Sequence, residues 1–100
     1  MHNTYSDDCL EIRNSVRKSV VTLLTKRVRG YVYITFDSED NMIVKLLDSN
    51  NEILHSKTAE DIISQCMNGF DSNKFCNEFV SEFKKKINKK YFKNPLDKTR

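Results

Sequence analysis

The apolar residues of this chain change their spacing along the sequence, and these changes limit the fold more than any other feature. From Tyr5 to Leu23 they recur at the spacing of one helix face. From Tyr31 to Phe36 the side chains alternate as in a strand, residues 42–47 form a short apolar run, and phenylalanines then repeat every four residues from Phe75. Because a helix repeats about every 3.6 residues and a strand about every two, the pattern predicts an α+β fold.

Capping and turn residues give the boundaries of the first elements. Ser6 or Asp7 is expected to cap a first helix that runs to Arg29, with Gly30 just beyond its end. Two short segments rich in Asp, Asn and Ser separate the next extended runs, and links this short predict an antiparallel meander. The three predicted strands are residues 31–36, 42–47 and 52–56.

Two helices are predicted to close the chain. The segment from Thr58 to Asp61 has the form of a capping box, so a short helix is expected to begin at Thr58 and to end at Gly69. The last helix is expected from Asp71 or Ser72 to about Phe92. The predicted order is α-β-β-β-α-α, with the helices packed on one face of the sheet. Residues 1–100 are expected to form a single domain, with an ordered core at about residues 5–93 and a tail at 94–100.

Charge is segregated along the sequence. Residues 84–100 carry eight Lys/Arg and one Asp, and residues 13–29 carry six Lys/Arg and no acid. Residues 30–83 carry ten Asp/Glu and only three Lys. A basic surface attracts phosphate and an acidic surface attracts basic proteins, so the pattern indicates binding partners rather than a reaction.

The basic segments predict a nucleic-acid-binding surface. Six lysines within ten residues of the last helix make a surface that could follow phosphates, and an aromatic ring among them could stack on a base. The alternative is a solvated helix end whose lysines complement the helix dipole. The candidates are Lys84, Lys85, Lys86, Lys89, Lys90, Phe92 and Lys93, extended by Arg13 and Arg17 if the first and last helices lie side by side.

The acidic middle predicts a second, different surface. Its carboxylates could imitate phosphates and enter the basic groove of a protein partner, and tyrosines on an uncovered sheet face could contact the same partner. The alternative is that hairpin turns simply favour Asp and Asn. The candidates are Asp37, Glu39, Asp40, Asp48, Glu52, Tyr31 and Tyr33.

Catalytic and metal-binding patterns are missing from the sequence. The two histidines and two glycines provide neither a catalytic relay nor a phosphate-binding loop, so we expect no enzyme, cofactor or metal site, with His55 at the surface or the edge of the core. Cys9, Cys66 and Cys76 lack metal-ligand spacing and are expected to be reduced and buried. Without a secretory signal or a membrane-spanning run, the chain is expected in the cytoplasm of a bacterial host.

The predicted order resembles two families. Residues 6–68 resemble the double-stranded-RNA-binding domain in order, but the stretch from Lys57 to Asp61 is acidic where that family is Lys-rich. The whole chain resembles small phage-encoded Cas9 inhibitors in element order. The stretch from Ile43 to Glu52 and the later stripe of Phe75, Phe79 and Phe83 carry the resemblance. It implies a protein that binds and blocks a CRISPR effector.

Three hypotheses follow from the sequence. The first is a non-enzymatic phage or mobile-element protein that blocks a host nucleic-acid-handling complex, an origin that the Lys-, Asn- and Ile-rich composition favours. The second is a regulator that binds nucleic acid directly through the basic C-terminal helix. The third is an oligomeric interaction module, for which a dimer is one possibility because a small sheet has edges open to pairing.

Overall fold

The strand and helix patterns of the sequence correspond to real elements in the computed structural model, which describes the backbone of residues 4–86 and the side chains of residues 9–86. The fold is α+β, and the order α-β-β-β-α-α is confirmed. The elements are α1 (Thr4–Thr25), β1 (Tyr31–Phe36), β2 (Met42–Leu47), β3 (Ile53–Ala59), α2 (Ile62–Met67) and α3 (Ser72–Lys84).

The three strands form an antiparallel sheet in the order β1-β2-β3. The register places Ile34 opposite Val44, and Val44 opposite Lys57 on β3. A β-bulge between Leu46 and Leu47 interrupts the second ladder. Because neighbouring side chains alternate between faces, the register decides which residues meet the helices and which stay open.

The helices cover one face of this sheet. Side chains from α1, α2, α3 and the covered face form one buried core. The period-four phenylalanines of α3 supply its largest side chains, as the sequence predicts, because residues four apart lie on the same face of a helix. Core residues with almost no exposure include Val20, Leu24, Val28, Met42, Val44, Leu46, Ile62, Phe79 and Phe83.

The first helix is shorter at its C-terminal end than predicted. It ends at Thr25 and not at Arg29, and residues 26–30 form the connection to β1. Gly30, at φ 124°, therefore does not mark the helix end. A Cβ at Gly30 would lie 2.7 Å from the backbone oxygen of Leu47, so the glycine allows the connection to pass close against β2.

The capping box predicted at Thr58 is wrong. Thr58 lies in β3, opposite Ile43, and β3 runs to Ala59 rather than ending at Ser56. The ladder with β2 continues there because β-branched Thr suits an extended strand. Asp61 instead caps α2, and its side chain accepts a bond from the N–H of Ser64.

The start of the last helix is confirmed and its end differs. Asp71 caps α3 by accepting a bond from the N–H of Lys74 at 3.1 Å. The helix ends at Lys84, and the N–H of Lys86 bonds to the carbonyl of Phe83 in a tighter final turn. The part of the prediction from Ile87 onward lies outside the described residues.

Candidate functional site

The sheet has two unlike faces. One is buried beneath the helices, as shown by Val44 and Leu46. On the other, Tyr31 is 63% exposed, Tyr33 is 53% exposed and Ile53 is 56% exposed. We call this second surface the open face, formed by Tyr31, Tyr33, Thr35, Ile43, Lys45, Leu47, Ile53, Ser56 and Thr58.

Cross-strand pairing groups the residues of the open face. Tyr31 lies opposite Leu47, which in turn lies opposite Ile53. Tyr33 lies opposite Lys45. Side chains directly opposite each other on neighbouring strands are close enough to touch. Tyr31, Leu47 and Ile53 therefore form an aromatic and aliphatic row, beside a row of Tyr33, Lys45 and Ser56.

The first hairpin turn, turn A (residues 37–41), is stabilised by its first side chain. Asp37 Oδ1 accepts the backbone N–H groups of Glu39 at 2.9 Å and Asn41 at 3.0 Å. Hydrogen bonds from the backbone and side chain of Asn41 lower the pKa of Asp37 below its usual value. Asp37 and Glu39 are exposed, so they place negative charge at this end of the open face.

The second hairpin turn, turn B (residues 48–52), has the same hydrogen bonds. Asp48 Oδ1 accepts the backbone N–H groups of Asn50 at 2.8 Å and Glu52 at 3.0 Å. Asn51 has φ 65° and closes the turn by donating its N–H to the carbonyl of Asp48. Glu52 is exposed, so the opposite end of the open face is acidic as well.

Asp40 in turn A points toward the helices. Its carboxylate forms an ion pair with Arg13, whose Nε lies 3.1 Å from Oδ1, and its backbone carbonyl accepts the N–H of Ile62. The guanidinium groups of Arg13 and Arg17 also lie over the ring of Phe36, about 5 Å from its centroid. Two side chains predicted for different partners, Arg13 and Asp40, therefore bind each other.

The basic candidates occupy two separate places. Arg13 and Arg17 lie beside turn A, whereas Lys84 ends α3, residues 85–86 follow it, and all three are exposed. Helices α1 and α3 do lie side by side, since the Cys76 thiol donates to the carbonyl of Val20 at 3.9 Å. The remaining basic-surface candidates, Lys89, Lys90, Phe92 and Lys93, lie outside the described residues.

A polar cluster between β3 and α3, with one buried member, was not predicted. His55 is only 4% exposed, so it is not a surface or edge residue. Its Nε2 lies 3.3 Å from Glu82 Oε1, and its ring packs edge-on to Phe79 and stacks with Phe83. Lys57 Nζ lies 2.9 Å from Glu82 Oε2. The spacing of His55 and Lys57 on one strand face was visible in the sequence, but their helix partner was not.

The environment of this cluster shifts two pKa values. Burial, the largest cause, lowers the pKa of His55 below its usual value, although the bond to Glu82 opposes this shift. The hydrogen bond from Lys57, the largest cause, lowers the pKa of Glu82. His55 Nδ1 is buried without a hydrogen-bond partner among the described residues.

The cysteines are free thiols, with Cys9 and Cys76 buried and Cys66 partly buried. Burial raises the pKa of Cys76 to about 11, which keeps the thiol protonated. In the part of the chain that the structure describes, no three His, Cys, Asp or Glu side chains are grouped as metal ligands. Over the same residues, no helix combines the length and apolar character that crossing a bilayer requires.

Comparison with known proteins gives no relative. No protein-family model, curated protein or solved structure matches this chain.

Proposed function

We propose that this chain is a non-enzymatic phage or mobile-element protein that docks, through its open face, onto a protein of a host nucleic-acid-handling complex and blocks it. A CRISPR effector is the first partner to test. The single observation that carries the proposal is the open face itself, where Tyr31, Tyr33 and Ile53 are each more than half exposed. Large apolar side chains exposed together on a sheet typically mark an interaction surface.

The composition of the open face suits a protein partner. Tyrosine is enriched in protein interfaces because it gives a large, rigid contact area and a hydroxyl that can bond to the partner. The backbone of Tyr31 and Tyr33 is fixed by strand pairing, so little backbone freedom is lost when they are covered. Leu47 and Ile53 extend the apolar area beside them.

The charges around the open face indicate the chemistry of the partner. Turn A and turn B lie at opposite ends of the sheet, and both carry exposed carboxylates. An apolar centre between acidic ends complements a protein surface whose apolar patch is flanked by Lys and Arg. Surfaces that bind nucleic acid have such basic residues. The resemblance in predicted element order to small phage-encoded Cas9 inhibitors is the reason for testing a CRISPR effector first.

An inhibition assay tests the proposal. Purified CRISPR effectors loaded with guide RNA would cleave a target duplex in the presence of increasing amounts of this protein. We expect inhibition by the wild-type protein, and at least a tenfold loss of potency in the double variant Tyr31→Ala, Tyr33→Ala, because central interface aromatics often contribute more than about 1.4 kcal/mol each.

Two controls make this test specific. Leu10→Ala and Met67→Ala each remove an exposed apolar side chain from a helix rather than from the open face, so their potency should match the wild type. Equal losses in control and tyrosine variants would overturn the assignment of the surface. Light scattering that shows a dimer dissociated by the tyrosine substitutions would instead make the open face a self-association surface.

A further inference from the structure

The end of the molecule where α1 and α3 finish carries a concentration of positive charge that the proposed docking surface does not use. We propose that this basic end, formed by Lys26, Arg27, Arg29, Lys84, Lys85 and Lys86, binds the phosphate backbone of a nucleic acid. The site is separate from the open face, which lies on the other side of the sheet.

The order of contacts shows that α1 and α3 run in the same direction. Ser15 in α1 lines a groove with Ser72 at the start of α3, and Val20 contacts Cys76 further along both helices. From that contact, Thr25 lies about 8 Å along α1 and Lys84 about 12 Å along α3, given a rise of about 1.5 Å per residue. The basic residues at or just after the C-terminal ends of both helices therefore lie at the same end of the molecule.

Both basic segments, residues 26–29 and 84–86, lie next to the part of the sheet where Leu46 pairs with His55. Gly30, directly after Arg29, lies against Leu46 and Leu47 of β2. Leu46 is the cross-strand partner of His55. The ring of Phe83, directly before Lys84, stacks on His55 with 5.9 Å between the ring centroids. The segments meet through tertiary structure although they are far apart in sequence.

Within residues 9–86, Lys26, Arg29, Lys85 and Lys86 form no ion pair with a carboxylate. Arg27 is held by a hydrogen bond to the Asn77 side chain, which is neutral, so its charge is fixed in place without being neutralised. The nearby α3 carboxylates Glu78 and Glu82 are directed to Lys57. These four cations and Arg27 outnumber Asp48 and Glu52, the two carboxylates of turn B, in the described part of this end of the molecule.

These features favour nucleic acid over an anionic membrane. Among the described residues, the exposed large apolar side chains are Leu10, Tyr31, Tyr33, Ile53 and Met67, and none of these five belongs to the basic end. Binding to a membrane surface usually combines cations with apolar side chains that enter the lipid. A polyphosphate backbone needs only cations at spaced positions, and the helix ends supply these.

Fluorescence anisotropy with labelled duplex DNA, single-stranded DNA and RNA, at about 50 and 200 mM salt, tests the inference. We expect binding without sequence preference that weakens steeply with salt. The double variant Arg29→Glu, Lys85→Glu should raise the Kd at the lower salt at least tenfold, and should reduce the slope of log Kd against log salt by about two, one for each phosphate contact. Arg29→Gln, Lys85→Gln should give a smaller change in the same direction.

The matched control is Lys18→Glu, Lys74→Glu, which makes the same change in net charge at exposed positions elsewhere on α1 and α3. It should change the Kd less than twofold. Equal weakening by both double variants would show a response to net charge alone and would overturn the site. Absence of binding at about 50 mM salt, or binding to phosphatidylserine vesicles but not to nucleic acid, would overturn it as well. Neither result affects the inhibition test with the tyrosine variants.

Discussion

In turn A and in turn B, the first Asp accepts two backbone N–H bonds and the fourth residue has a left-handed conformation, with φ 63° at Asp40 and 65° at Asn51. The two turns differ in what surrounds them. Asp40 bonds to Arg13 through its side chain and to Ile62 through its carbonyl. The described hydrogen bonds of Asp48 and Asn51 stay within turn B.

The two ends of the sheet are consequently joined to the helices in different ways. At turn A the joint is an ion pair and backbone hydrogen bonds at the surface. Toward turn B it is the packing of His55 between Phe79 and Phe83 inside the core. Local sequence specifies both turns alike, whereas tertiary contacts decide how much each end contributes to stability.

The largest expected effect is at the buried joint. His55→Ala removes a ring that contacts two phenylalanines and leaves a cavity, so we expect the free energy of unfolding to fall by about 3 kcal/mol. Urea denaturation measures this change. Ser56→Ala, next in the strand but exposed, should change stability by less than about 0.5 kcal/mol. A loss below about 1 kcal/mol in His55→Ala would show that this joint does not depend on the ring.

A smaller effect is expected at the surface joint. A double-mutant cycle with Arg13→Ala and Asp40→Asn isolates the ion pair, and Asn keeps the tolerance of residue 40 for a left-handed conformation. The pair is partly exposed, with side-chain exposures of 32% and 22%, so solvent screening limits the expected coupling to about 1 kcal/mol. Additive single losses in urea denaturation would mean that the ion pair does not join turn A to α1.

In turn B, a substitution that makes the left-handed conformation easier should not lower stability, unlike the substitutions above. Asn51→Gly replaces a residue at φ 65° with one that adopts this conformation without steric cost, and no described contact outside the turn is lost. We expect stability to remain constant or to rise by up to about 0.5 kcal/mol. Asp40→Gly gains the same relief but loses the contact with Arg13, so it should be less stable than Asn51→Gly. Equal stabilities would remove the distinction between the turns.

Local patterns in the sequence were sufficient to predict much of the fold. Strands β1 and β2 lie where the alternation and the Asp- and Asn-rich links placed them, and Asp71 caps α3 as predicted. The prediction failed where two local signals competed. Thr58 is both a good cap and a good strand residue, and pairing with Ile43 decided in favour of the strand.

The sites were less predictable because they depend on contacts between distant segments. The tyrosines and both acidic turns were selected from the sequence, but that they surround one face followed only from the register. Nothing local indicated that Asp40 would turn to Arg13, or that His55 would face Glu82. Likewise, the helix direction that brings Arg29 and Lys86 to one end is a property of the packed structure.

The last prediction uses pH to separate the two joints. Because the pKa of His55 is lower in the folded protein than the ordinary value of about 6.5, the unfolded state binds more protons, so stability is present above that value and falls as the pH drops through it. Glu82, Lys57 and Lys86 are the charged groups acting on the ring, and the lowered pKa of Glu82 adds a separate loss of stability below about pH 4.5.

Urea denaturation at a series of pH values from about 7 down to about 5, a range around the ordinary His pKa, should therefore show that the wild type becomes less stable as the pH falls. His55→Phe, which keeps an aromatic ring in the core, should remove this decrease, while Asp40→Asn should leave it unchanged. If the stability of His55→Phe still falls as the pH drops, the pH dependence belongs to groups other than His55.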